Sequence, residues 1–150
     1  MRHDELYKRL LEIPEDHYVM HGSPYELEII EPRRTGRDDV PAYNHLGVYA
    51  TTCIEIALLY ATIHTKRTEW GFAPQTAGST LDVRVPLGFI HGPGFVYILP
   101  KEGFRNLSPA AFVSHRPVRP VEVFPIDRDV LFEMIENRTV EVGIYDPALT

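Results

Sequence analysis

Prolines limit what this chain can fold into more than any other feature. Thirteen of them are scattered along the 150 residues, which exceeds the average frequency of about 5%. Proline lacks an N–H and has a fixed φ, so it ends helices and is excluded from the interior of sheets. The chain is therefore expected to form short elements joined by many turns. Because no proline-rich linker divides it, residues 1–150 are expected to form a single domain.

Charge and cysteine content disfavour several classes of protein. A net charge of −6 disfavours general nucleic-acid binding, which needs clustered Lys and Arg to meet phosphates. Cys53 is the single cysteine, so no internal disulfide or zinc-type cysteine pair is possible, and a cytoplasmic location is expected. Residues 1–12 are charged, unlike a signal peptide, and no run of about 18 apolar residues predicts a membrane span.

Three segments have the apolar spacing of short helices. One lies between Asp4 and Glu12, where Pro14 prevents continuation. The clearest follows a capping-box pattern, Thr52 with Glu55 three residues later. The third runs from Asp129 to Asn137. The apolar positions of the second helix are Ile54, Ala57, Leu58 and Ala61.

Apolar runs bounded by Gly or Pro predict short strands in the rest of the chain. Residues 65–80, which mix polar, Gly and Pro residues, are expected to form a long loop. Few helices and many short strands indicate an α+β fold. The predicted strands are His17–His21, Val48–Ala50, Leu81–Val85, Phe95–Leu99, Phe112–Ser114 and Val118–Phe124.

Two clusters of candidate site residues accompany these elements. His21, Gly22 and Ser23 form a polar corner at the end of a predicted strand, and Tyr49 lies in the strand that leads into the capped helix. Tyr60 follows on that helix, 11 residues after Tyr49. A His-Gly pair alone is usually a turn. The order and spacing of the two clusters therefore carry the functional interpretation.

This combination resembles the NAD site of the ADP-ribosyltransferase fold, particularly its poly(ADP-ribose)-polymerase-like branch. In that family a strand ending in His-Gly-Ser or His-Gly-Thr is followed by Gly-x-Tyr at the entry to a helix with a further tyrosine. The resemblance covers roughly residues 18–61. It implies an α+β fold with a split antiparallel β-sheet core and a few flanking helices, and it implies NAD as the substrate.

The resemblance also implies a role for each residue. His21 is expected to bond the hydroxyls of the ribose nearest the adenine, and backbone groups of Gly22 to hold the nicotinamide carboxamide, with the Ser23 hydroxyl as a further partner. Tyr49 and Tyr60 would flank the nicotinamide ring, which gains from aromatic faces. The implied reaction cleaves the bond between nicotinamide and ribose. It would transfer ADP-ribose to water or to an unknown protein or nucleic-acid acceptor.

A carboxylate is expected to stabilise the oxocarbenium-like state of this reaction. Family enzymes usually supply it as a glutamate on a late strand, and the best alignment puts Ala111 at that position. The nearest substitutes in sequence are Glu102 and Glu122. Glu122 is taken as the catalytic candidate, together with His21 and Tyr49.

Two other functions stay open. The alanine at position 111 would suit a non-catalytic module that binds NAD, ADP-ribose or another molecule on the same fold. The related RNA 2′-phosphotransferases work without the glutamate and use arginine and histidine, which His115, Arg116 and Arg119 could supply. The acidic net charge weighs against RNA as a partner.

Overall fold

The computed structural model describes residues 3–33, 46–63, 71–72, 81–86, 93–108, 110–137 and 140–145. This part of the chain forms an α+β fold, and none of its helices is long and apolar enough to cross a membrane. The helices are α1 (His3–Leu11), α2 (Ile54–Thr62) and α3 (Asp129–Glu136). The strands are β1 (Tyr18–Ser23), β2 (Val48–Thr51), β3 (Gly71–Phe72), β4 (Leu81–Pro86), β5 (Gly94–Pro100), β6 (Arg105–Ser108), β7 (Ala111–Ser114), β8 (Glu122–Ile126) and β9 (Val140–Tyr145).

The described strands form two sheets. Six of them make an antiparallel sheet in the order β6-β7-β2-β1-β5-β8. The others make a sheet in the order β3-β4-β9, in which β4 and β9 run parallel. In the larger sheet β1 lies near the centre and pairs with β5 along its whole length, from Tyr18↔Pro100 to Ser23↔Phe95.

Each face of the six-stranded sheet carries an apolar cluster. On one face, called here the helix side, residues such as Met20, Val96 and Ile98 pack in one apolar cluster with residues of all three helices. On the other, called the loop side, Val19 and Tyr97 belong to a second cluster. Residues of the loops between strands complete the loop-side cluster. The loop residues are Leu27, Ile30, Phe104 and Val118.

Helix α2 lies against the helix side through small residues. A Cβ added at Gly22 would stand 2.0 Å from the carbonyl oxygen of Ala57, and one at Gly94 would stand 1.8 Å from that of Ala61. No side chain fits in either gap, so glycine at these positions sets how closely the helix approaches the sheet. Gly94 is therefore a packing residue at the start of β5.

The two edges of the six-stranded sheet are irregular. At one edge, the pairing of β6 with β7 shifts register between Asn106 and Ser108. At the other, β8 contains Pro125, which has no N–H. Phe124 pairs with Val96, and main-chain groups alternate along a strand, so those of Pro125 face away from β5 toward the edge.

The predicted α1 and α3 are confirmed within a residue or so at each end, but the capping box at α2 is wrong. The N-cap residue is Cys53 and no side chain caps the helix. Thr51, not Thr52, provides a hydroxyl, which accepts the Cys53 N–H at 2.9 Å. The carboxylate of Glu55 instead accepts from the Tyr7 hydroxyl of α1 and, at 3.5 Å, from the thiol of Cys53.

Most predicted strands are confirmed, with one exception. The strand expected at Val118–Phe124 begins at Glu122 instead, and Val118 forms an isolated bridge with Ile30. Pro120 intervenes and offers no N–H for continuous pairing. β6 and β9 were not predicted. Of the expected loop at 65–80, residues 71–72 form β3, and the rest lies outside the described residues.

Candidate functional site

The candidate site is an opening between β1 and β2. Although β1 pairs fully with β5, the described pairing between β1 and β2 is limited to Met20↔Thr51. Beyond that pair, β2 continues toward Gly47, where Arg33 takes the place of β1 and exchanges two backbone hydrogen bonds of 2.9 and 3.0 Å with Gly47. The opening bounded by these two pairs is called here the β1–β2 window.

The backbone of Gly22 faces this window. Just before β1, the His17 carbonyl accepts the Lys101 N–H at 2.9 Å, so odd-numbered residues of β1 bond to β5. Pro100 has no N–H, and it fits this register because the main-chain groups of its partner Tyr18 point away from β5. Even-numbered residues therefore point toward β2. The N–H and C=O of Gly22 both face the window, two residues beyond the Met20↔Thr51 pair.

His21 reaches into the same window with its side chain. Its Nδ1 lies 2.7 Å from the carbonyl oxygen of Tyr49. A carbonyl only accepts, so Nδ1 carries the hydrogen and donates. Burial lowers the pKa of His21; the Tyr49 carbonyl acts in the opposite sense, and the positive charge of Arg33 lowers the pKa further. The imidazole is therefore neutral at pH 7, and its Nε2 has a lone pair to accept a hydrogen bond.

Tyr97 supports His21 from the neighbouring strand. The two residues are cross-strand partners, and their ring centroids lie 6.3 Å apart at an angle of 45°. Tyr97 is fully buried. Its hydroxyl donates to the Tyr25 carbonyl at 2.6 Å and accepts the Leu27 N–H at 2.7 Å. Tyr97 was not among the predicted site residues, and its one sign in the sequence was a hydroxyl group in an otherwise apolar strand.

The two predicted ring-stacking tyrosines belong to the helix side. In β2, Val48 and Ala50 pack in the loop-side cluster, so Tyr49 between them faces the helix side. Tyr60 is half-buried on α2 and packs against the helix-side cluster, in the turn that lies over Gly22. The structure thus brings Gly22, Tyr49 and Tyr60 to one face of the sheet, with the His21 side chain at the other.

Ser23 lies apart from these tyrosines. It alternates with Gly22 and so faces the loop side, where it is buried. Its Oγ accepts the N–H of Tyr25 at 3.1 Å, which stabilises the turn after β1. From this position the Ser23 hydroxyl does not face a carboxamide that is held at Gly22 beside Tyr49 and Tyr60, as the sequence predicted it would.

The carboxylates proposed from the sequence do not lie at the window. Glu122 pairs with Ile98, which places it on the helix side, and its carboxylate accepts from Arg9 of α1 at 2.7 Å. Glu102 is exposed in the turn after β5, beside the His17 end of β1. Ala111 pairs with Thr51, at the closed end of the window.

The basic residues considered for RNA chemistry lie near the other end of the window. His115, Arg116 and Arg119 are all exposed. The Nδ1 of His115 donates to the Leu46 carbonyl at 3.0 Å, next to the Gly47 that pairs with Arg33. Two potential cations, Arg33 and His115, therefore flank the start of β2.

A separate cavity of about 310 Å³ lies between α1 and the start of α2. It contains the Tyr7–Glu55 hydrogen bond and the thiol of Cys53, which lies 3.5 Å from the Glu55 carboxylate. Burial raises the pKa of Cys53 to about 11, with a further contribution from Glu55. The thiol is protonated at neutral pH and is a poor nucleophile. This cavity is on the far side of the Met20↔Thr51 pair from Gly22.

Comparison of the chain with family models, with curated proteins and with solved structures finds no match.

Proposed function

We propose that this protein binds NAD in the β1–β2 window and is an ADP-ribosyltransferase-like protein that cleaves the bond between nicotinamide and ribose. The observation that carries the proposal is the backbone of Gly22, whose N–H and C=O both face the window. A primary carboxamide offers one acceptor and two donors, so a single residue that directs an N–H and a C=O to the same side is its complement.

The two faces of the sheet suit the two halves of a dinucleotide. Tyr49 and Tyr60 lie on the same face of the sheet as Gly22 and offer aromatic surface to a flat ring beside the window, since α2 packs directly on Gly22 itself. On the loop side, the Nε2 of neutral His21 can accept a hydrogen bond from a ribose hydroxyl. Arg33, at the end of the window, supplies positive charge for a diphosphate. NAD carries all three groups in one molecule.

Cleavage would break the bond between ribose C1′ and the ring nitrogen, and the bonding electron pair would leave with nicotinamide, which departs neutral. The ribosyl cation would then be captured by water or by an acceptor. Neither Glu122 nor Glu102 is placed to stabilise that cation, so we assign no residue to this role. We accordingly expect slow cleavage. If cleavage is absent altogether, the alternative of a non-catalytic NAD-binding module applies.

The test mixes purified protein with NAD and follows nicotinamide release and the melting temperature. His21→Ala is compared with His17→Ala, a matched control whose side chain is 71% exposed next to the same strand. We expect NAD to stabilise wild type and His17→Ala but not His21→Ala. Release that is lost with His21→Ala supports an enzyme, and stabilisation without release supports the binding module. Absence of both in the wild type refutes the proposal.

A second candidate is 2′-phosphotransfer from RNA, favoured by the position of Arg33 and His115 beside the start of β2. Such cations would suit an RNA phosphate without general affinity for nucleic acid. Its test is an RNA oligonucleotide with one internal 2′-phosphate, incubated with NAD and protein. Loss of the 2′-phosphate that occurs with protein and NAD, but not with protein when NAD is left out, would establish this activity. An unchanged oligonucleotide would exclude it.

A further inference from the structure

We infer that Tyr97 is a positioning residue for the ligand site, because it fixes both the ring of His21 and the turn that leaves β1. The inference rests on the proposed function for its ligand, but its structural half can be tested without one.

The hydrogen bonds of Tyr97 join two elements that are far apart in sequence. Its hydroxyl bonds the main chain on both sides of Glu26, accepting from the Leu27 N–H and donating to the Tyr25 carbonyl. These residues directly follow the His21-Gly22-Ser23 corner. Leu27 lies outside the helices and strands, so Tyr97 gives its amide the kind of partner that a strand would otherwise provide.

The ring of Tyr97 acts on His21 in a different way. Its hydroxyl is engaged by Tyr25 and Leu27, and its contact with His21 is through the rings, at 6.3 Å between centroids. The imidazole is therefore held by packing on one side and by the Tyr49 carbonyl on the other. Together these contacts fix the direction in which Nε2 presents its lone pair.

Removing only the hydroxyl separates these two effects. In Tyr97→Phe the ring stays against His21, but the turn loses both of its bonds to β5. We expect the turn to loosen on the loop side, while Gly22, Tyr49 and Tyr60 keep their places on the helix side. The matched control is Tyr25→Phe, which removes a hydroxyl from the same turn, because the Tyr25 side chain is 61% exposed and only its carbonyl bonds Tyr97.

The experiment has a ligand-free measurement, amide hydrogen exchange by NMR. The Leu27 amide should be protected in the wild type, although it lies in a turn, and should exchange at least tenfold faster in Tyr97→Phe. It should be unchanged in Tyr25→Phe, and the Val19 amide in β1 should be unchanged in both variants. An unprotected Leu27 amide in the wild type would overturn the inference without any variant, even if Tyr97→Phe did not fold.

The second measurement compares two ligands. Benzamide resembles the nicotinamide ring alone and should bind Tyr97→Phe within about twofold of the wild-type Kd. NAD also needs His21, which lies just before the loosened turn, so its Kd should rise about tenfold, which corresponds to about 1.4 kcal/mol. Equal weakening of both ligands would mean general loss of structure and would overturn the positioning role. If the wild type binds neither, the proposed function fails, and the exchange of Leu27 alone decides the role of Tyr97.

Discussion

The sharpest prediction concerns Gly22→Ala, because the obstacle to the added methyl group is backbone. The new Cβ would stand 2.0 Å from the Ala57 carbonyl oxygen, whereas ordinary contact begins at about 3.4 Å, so α2 or β1 must move by about 1.4 Å. Overpacking of a buried site typically costs 1–3 kcal/mol, and the upper end applies because no flexible side chain can give way. We expect a loss of about 3 kcal/mol. For a domain of this size that loss lowers the melting temperature by about 6–12 °C.

The assay is urea unfolding, supported by thermal unfolding followed by circular dichroism. Gly103→Ala is the control, because Gly103 has a positive φ of 88° and no atom within 4 Å of an added Cβ. It tests backbone strain without a clash and should cost about 1 kcal/mol. If Gly22→Ala is no more destabilising than this control, the close approach of α2 to the sheet is wrong.

A double variant sharpens the same test. Gly94→Ala meets the Ala61 carbonyl oxygen of the same helix at 1.8 Å, so one outward shift of α2 would relieve both clashes. The double variant should therefore cost less than the sum of the single variants. Strict additivity would contradict a shared movement of α2 as the origin of the loss.

Three further predictions concern individual side chains. Burial lowers the pKa of His21 below its ordinary 6.5, so the unfolded chain takes up the proton at a higher pH than the folded chain does. The free energy of unfolding of the wild type should therefore fall, relative to that of His21→Gln, as the pH drops below about 6.5. If urea unfolding shows the same difference between the two proteins at about pH 7.5 and pH 5, this prediction is wrong. Burial raises the pKa of Cys53 from 9.0 to about 11, so the folded protein should react with a disulfide reagent at neutral pH about a hundredfold more slowly than the protein unfolded in urea. Equal rates would show that the thiolate is accessible in the folded protein. The side chains of Glu122 and Arg9 are 39% and 50% exposed, so Glu122→Gln should lower the free energy of urea unfolding by less than about 1 kcal/mol. The same variant should leave any NAD cleavage unchanged. A selective loss of cleavage would return Glu122 to the catalytic candidates.

Local pattern was enough to predict much of the fold. Apolar spacing located α1 and α3, and runs bounded by Gly or Pro located β1, β2, β5 and β7, since these signals depend on near neighbours. β9 was not predicted, because its parallel pairing with β4 depends on residues about 60 positions away. The capping box failed for a related reason. The Glu55 side chain is bonded by Tyr7 of α1, a partner that no local pattern reveals.

The candidate site was predictable in part. The order of His21, Gly22 and Tyr49 predicted that these residues lie together, and the structure brings His21 into hydrogen-bonding contact with the Tyr49 carbonyl. Strand alternation places Glu122 on the opposite face from His21, but this required the register of β8, which the sequence analysis had begun too early. The role of Tyr97 depends on hydrogen bonds across 70 and 72 residues, beyond the reach of spacing arguments.

The irregular edges of the six-stranded sheet affect how the protein behaves at high concentration. An uninterrupted edge strand offers a template on which a second molecule can add its own strand and start an aggregate. Here the edge strand β8 has no N–H to donate at Pro125, and the register shift in β6 disturbs the spacing that an incoming strand would have to match. Replacing Pro125 with a β-forming residue such as Val would restore a donor at that edge. It would make the protein more prone to self-association during expression and storage.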